Sequence, residues 1–126
     1  MELRSHLSRV RGLGASHEGT HHFWVQRISG IALVPLVIWF VLSVSSVIGA
    51  DLATFKAWVG THYNPVLLIL LIATMFHHAF LGLQVIIEDY VHGEAAKLTT
   101  LILVKFAVYL IGACAVFAVI RLTFGS

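Results

Sequence analysis

The stretch Met75–His92, MFHHAFLGLQVIIEDYVH, holds the residues best suited to chemistry. Two adjacent histidines, His77 and His78, lie deep in an apolar run that closes on Glu88, Asp89 and Tyr90. An α-helix turns ~100° per residue, so adjacent imidazoles cannot both face one buried partner. Counting from His78, the same face carries Gly82, Val85 and Asp89, whereas the position four residues on from His77 is the bulky Leu81. A flat macrocycle bound through an imidazole needs backbone close beside it, and glycine grants that approach. His78 is therefore the better candidate for an axial haem ligand, and His77 the less favoured one, turned toward another helix or a polar pocket. The plain alternative is a histidine that hydrogen-bonds between helices. Ionisable groups inside a membrane are functional candidates by default.

The acidic end of the stretch also carries two readings. A tyrosine at a membrane interface is ordinarily an aromatic-belt residue, and an acidic pair ordinarily ends an apolar span. The functional reading is a quinone site: the Tyr90 phenol donates to a quinone carbonyl, and the Asp89 carboxylate orients donors and relays protons. Reducing a quinone to a quinol consumes two protons, so a polar, proton-accessible interface is what that chemistry requires.

The elements that hold these groups follow from composition. Of 126 residues 59% are hydrophobic and only 11% are charged, with mean hydropathy +0.93; so few charges cannot cover a soluble domain. Apolar runs over about 28–48, 65–87 and 98–122 each reach the ~20 residues needed to cross ~30 Å of hydrocarbon. The expected fold is all-α, an integral membrane protein of three transmembrane helices forming part of a multi-subunit helical bundle. A basic leader, 1–27, precedes the three-helix domain, 28–122, and a short tail, 123–126, follows. The leader and the length of the first apolar run favour a retained span over a cleaved signal peptide.

Arg4, Arg9, Arg11 and Arg27 precede or open the first span, while the first loop carries only Lys56. This asymmetry predicts a cytoplasmic N-terminus and an external C-terminus. Gly12, Gly14 and Gly19 argue against one continuous helix through the leader. Pro35 reads as a tolerated kink. The first loop should hold a short amphipathic piece closed by Asn64-Pro65, and Gly93 should break the chain between the second and third spans. A net charge of +2 gives no argument for nucleic acid, and the single Cys114 excludes a disulfide framework or a thiolate metal cluster.

If His78 binds haem iron, its opposite ligand is missing from this chain. The first and third spans contain no histidine; His17, His21 and His22 precede the first span, and His62 and His92 lie in loops. A six-coordinate haem needs a second imidazole from another chain, a partner membrane subunit in preference to a second copy. Haem propionates would need cations near the cytoplasmic surface. Arg27 stands there, with His21 and His22 just before it, and reads equally as a snorkelling anchor. Lys105 has the same two readings, the anchor favoured.

Residues His78–Tyr90 resemble the H-x-x-x-G-x(6)-D-Y stretch of the small hydrophobic membrane anchor of succinate dehydrogenase, respiratory Complex II. HHFWVQRISGIAL resembles that family's H-x-F-x-x-x-R entry into its first helix, and the resemblance covers the chain after residue 15. It implies that His78 is an axial ligand of haem b and that Tyr90 and Asp89 belong to the ubiquinone site. Arg27 and His21 would then lie near the haem propionates. It also implies three partner subunits: a large cytochrome b anchor giving the second haem ligand, an iron–sulfur subunit and a flavoprotein. The expected location is the bacterial cytoplasmic membrane, with a periplasmic C-terminus. With no flavin fingerprint and no cysteine cluster, the chain would anchor the complex without oxidising succinate itself. A fumarate reductase anchor and a non-redox structural membrane protein are the alternatives.

Overall fold

The structure, a computed structural model, describes residues 17–125. Four helices follow one another: α1 (His17–Val44), α2 (Leu52–Val59), α3 (Asn64–Tyr90) and α4 (Glu94–Phe124), with a 3-10 turn at Ser45–Val47 after α1. No strand occurs among the described residues. Helices α1, α3 and α4 are long and apolar enough to cross a membrane. The chain is an all-α, multi-pass membrane protein.

Helices α3 and α4 outrun their apolar segments at both ends, and α1 does so at its start. At 27 residues α3 measures about 40 Å, and at 31 residues α4 about 46 Å, against ~30 Å of hydrocarbon. Hydropathy marks the buried middle of a span, whereas backbone hydrogen bonding carries the helix on into the interface. For the same reason α1 starts at His17, so Gly19 lies within a helix it was expected to interrupt. Arg4, Arg9, Arg11, Gly12 and Gly14 of the leader lie outside the described residues. Pro35 stands inside α1 without ending it.

The turns behave as their residues dictate. Pro65 occupies the first turn of α3, where a missing N–H costs nothing. Gly93 takes φ +91° at the start of α4, a conformation that L side chains avoid. Asp51 caps α2 by accepting from the Thr54 N–H at 2.9 Å.

Helix α3 is the central element. It packs against α1 on one flank and α4 on the other, while α1 and α4 do not pack against each other. The most apolar window of α3 is 17% buried, against 6% for α1 and for α4, so their outer faces are left for lipid or other subunits. The best-buried cluster, Val59, Leu68 and Val119, joins α2, α3 and α4. Trp58 fastens this end, donating its indole N–H to Ser43 Oγ at 2.9 Å, while its carbonyl accepts from Asn64 Nδ2 at 2.7 Å. This cluster lies at the end of α3 away from Tyr90. The half that carries the chemistry-bearing residues buries Phe80, Leu81 and Ile87.

Candidate functional site

Helical phase separates the two histidines as the spacing predicts, and α1 runs along the divide. Ser29, 7% exposed, lies on the face of α1 pressed against α3. Its Oγ is 2.8 Å from Nδ1 of His78 and also donates to the Gln26 carbonyl at 2.8 Å. A Cβ on Gly30 would stand only 3.3 Å from Cε1 of the same ring. The imidazole of His78 is therefore seated against the backbone of α1, in a space that a larger residue would fill.

On one side of this seam, Phe23, Gln26, Arg27, Gly30, Ile31, Val34 and His78 line an open cavity of about 480 Å³. The Arg27 guanidinium lies over the Phe23 ring, 5.1 Å from its centroid, which holds this cation at the cavity's edge. On the other side, His21, His22, Val25, His77, Leu81, Gln84 and Glu88 line a cavity of about 530 Å³. Glu88 accepts from Gln84 Nε2 at 3.1 Å. His77 also borders the groove that includes Ser29, Thr74 and Tyr109, so it does face other helices.

The structure thus groups Arg27 with His78 but puts His21 with His77. A Cβ on Gly82 would meet only Gln26 Nε2, at 3.9 Å, so the space beside it, one turn from His78, is open. The glycine beside the imidazole is Gly30, on the opposite helix. Sequence reasoning missed Gly30 and Ser29; the available signal was a Ser-Gly pair of small residues in an otherwise bulky apolar run. Tyr90, 76% exposed, and the exposed Asp89 stand at the C-terminal end of α3. Lys105 lies over the Phe80 ring, 6.0 Å from its centroid. No group of three metal-ligating side chains occurs among the described residues.

The sequence profile described as succinate dehydrogenase/fumarate reductase transmembrane subunit matches residues 1–114. The chain belongs to this family. It is 31% identical over 117 residues to the succinate dehydrogenase hydrophobic membrane anchor subunit of Paracoccus denitrificans, covering 93% of this chain and 90% of that one. It is 26% identical over 105 residues to the protein of the same description from Rickettsia conorii, covering 82% and 83%. It is also 30% identical over 91 residues to the succinate dehydrogenase membrane anchor subunit of Reclinomonas americana, covering 69% and 75%. No solved structure matches. As a membrane anchor subunit of succinate dehydrogenase, the chain is part of an enzyme complex and associates with its other subunits. The under-buried faces of α1 and α4 agree with that role: an anchor subunit keeps apolar surface for lipid and for its neighbours.

Proposed function

We propose that this anchor subunit gives one axial ligand of a haem b, His78, and one wall of a ubiquinone-reduction site, Tyr90 with Asp89. The observation that carries the haem reading is that His78 and Arg27, on different helices, line one cavity. The residues fit the edge of a haem: an imidazole braced by α1, a side-chain-free backbone at Gly30, apolar walls from Phe23, Ile31 and Val34, and a guanidinium for a propionate. His21 takes the propionate role only if the group also reaches the second cavity. Bound there, haem b supplies a one-electron redox centre. We assign the opposite ligand to the large cytochrome b subunit.

At the end of α3, the Tyr90 hydroxyl donates a hydrogen bond to a quinone carbonyl, and Asp89 holds and passes protons from the aqueous side. Two electrons arrive from succinate through a flavoprotein and an iron–sulfur protein seated at this end, and two protons complete the quinol. The exposure of Tyr90 is what a pocket completed by those subunits requires. We place the chain in the bacterial cytoplasmic membrane, with the N-terminus and the Tyr90 end cytoplasmic and the C-terminus periplasmic.

Two variants of the purified complex test the reading. His78→Ala is expected to lose the b-type band in the reduced-minus-oxidised spectrum; an unchanged band removes His78 as ligand. Tyr90→Phe is expected to cut succinate:quinone reductase activity by about 10²-fold or more while succinate oxidation by an artificial acceptor persists. Normal quinone reduction in that variant would remove Tyr90 from the site.

A further inference from the structure

We propose that Ser29 is a positioning residue that fixes the tautomer and ring plane of His78, leaving Nε2 as the ligating nitrogen; this rests on His78 being the haem ligand. The argument is one of counting protons. A serine hydroxyl carries one hydrogen. The Ser29 Oγ lies 2.8 Å from the Gln26 carbonyl, and a carbonyl oxygen has no hydrogen to give, so the hydroxyl hydrogen lies on that line. The 2.8 Å contact between Ser29 Oγ and His78 Nδ1 must then be closed by a hydrogen on Nδ1, with Oγ accepting.

A neutral imidazole protonated on Nδ1 carries its lone pair on Nε2. This is the form that a metal binds through Nε2. Ligating histidines generally donate their other ring N–H to an oxygen that holds the ring and raises its basicity. Here the acceptor comes from 49 residues away in sequence, on a different helix, and is itself buried at 7% exposure. Gly30, the next residue, lets the ring lie against α1 with Cε1 3.3 Å from where its Cβ would be. Ser29 and Gly30 together hold the imidazole in one plane: the serine by its oxygen, the glycine by having no side chain. The Gln26 carbonyl completes the chain by orienting the hydroxyl toward itself, so that the oxygen's free lone pair faces His78.

Donation from Nδ1 gives the ring more anionic character, which favours ferric over ferrous iron. Removing the acceptor therefore raises the haem midpoint potential and weakens haem retention. The test uses the complete purified complex with Ser29→Ala, Ser29→Thr, Ser29→Val and His78→Ala. Haem-to-flavin ratio, optical redox titration and low-temperature electron paramagnetic resonance are the readouts. In Ser29→Ala, haem affinity should fall about tenfold. Its midpoint should rise by about 30 mV, equivalent to an about threefold change in the preference for ferric iron.

Ser29→Thr keeps the hydroxyl and should restore both values. Ser29→Val has the shape of threonine without the oxygen, so the Thr–Val pair isolates the hydrogen bond even if the alanine complex assembles poorly. Equal midpoints, equal haem content and equal resonance spectra in Ser29→Thr and Ser29→Val overturn the role given to Ser29. Full haem in His78→Ala instead overturns the ligand assignment beneath it, so the two failures are distinguishable.

Discussion

The packing of Gly30 against His78 makes a graded series the sharpest probe of the site. A Cβ at Gly30 would stand 3.3 Å from Cε1 and 3.8 Å from Nδ1 of the ring. In Gly30→Ala the shortfall is a few tenths of an ångström, which a swing of the imidazole absorbs, and alanine adds about 1 kcal/mol of helix propensity. That variant is expected to assemble with stability near the parent and with haem slightly perturbed. In Gly30→Val, methyl groups reach about 1.5 Å further, and helical valine is largely held in one rotamer. The ring or the whole of α1 must then move by about 1 Å, which stretches the 2.8 Å Ser29 contact past hydrogen-bond range. Overpacking costs about 1–3 kcal/mol, and the stranded Nδ1–H about 1–3 kcal/mol more. Haem-to-flavin ratio, redox titration and thermal unfolding of the purified complex should therefore worsen from Gly to Ala to Val. A valine variant with wild-type haem content and midpoint would refute the claim that α1 seats the imidazole.

Other consequences follow from separate parts of the fold. Gly112→Val drives bulk into Phe76, whose Cγ lies 3.4 Å from a Cβ there; a loss of about 1–3 kcal/mol should appear as a lower melting temperature, with the haem midpoint retained. His77→Ala should leave the b-type spectrum in place, because this ring lines the cavity on the other side of α1 from His78; loss of the band would transfer the ligand role to His77. Hydrogen bonds from Thr54, through its side chain and then its backbone N–H, hold the Asp51 carboxyl below its ordinary value of 3.8. A depressed carboxyl stabilises the fold above that ordinary value and stops doing so as pH falls through the folded one. Protection of the amides in the first turn of α2, taken relative to their intrinsic exchange at each pH, should therefore fall in acid for the parent but not for Asp51→Asn. The same acid response in both would exclude the cap as its cause.

Much of the architecture was legible from local chemistry. Three apolar runs named the spans because hydrocarbon admits few charges, Asn64-Pro65 marked the start of α3, and Gly93 marked the break before α4. The separation of His77 from His78 also needed only the turn of a helix. What surrounds His78 was a different matter. Periodicity along α3 pointed to Gly82 as its companion, since that residue lies one turn away on the same face. It gave no sign that the ring also rests on Gly30 and Ser29 of α1. Likewise His21 and Arg27, six residues apart in one helix, border different cavities.

The physical reason is the range of the forces involved. Helix formation, capping and hydropathy are decided by residues within about four positions of one another. The register and rotation of α1 against α3 are decided by how small and large side chains interlock across the seam, between residues 49 positions apart. Local pattern therefore named the histidine, and packing chose the serine that holds it.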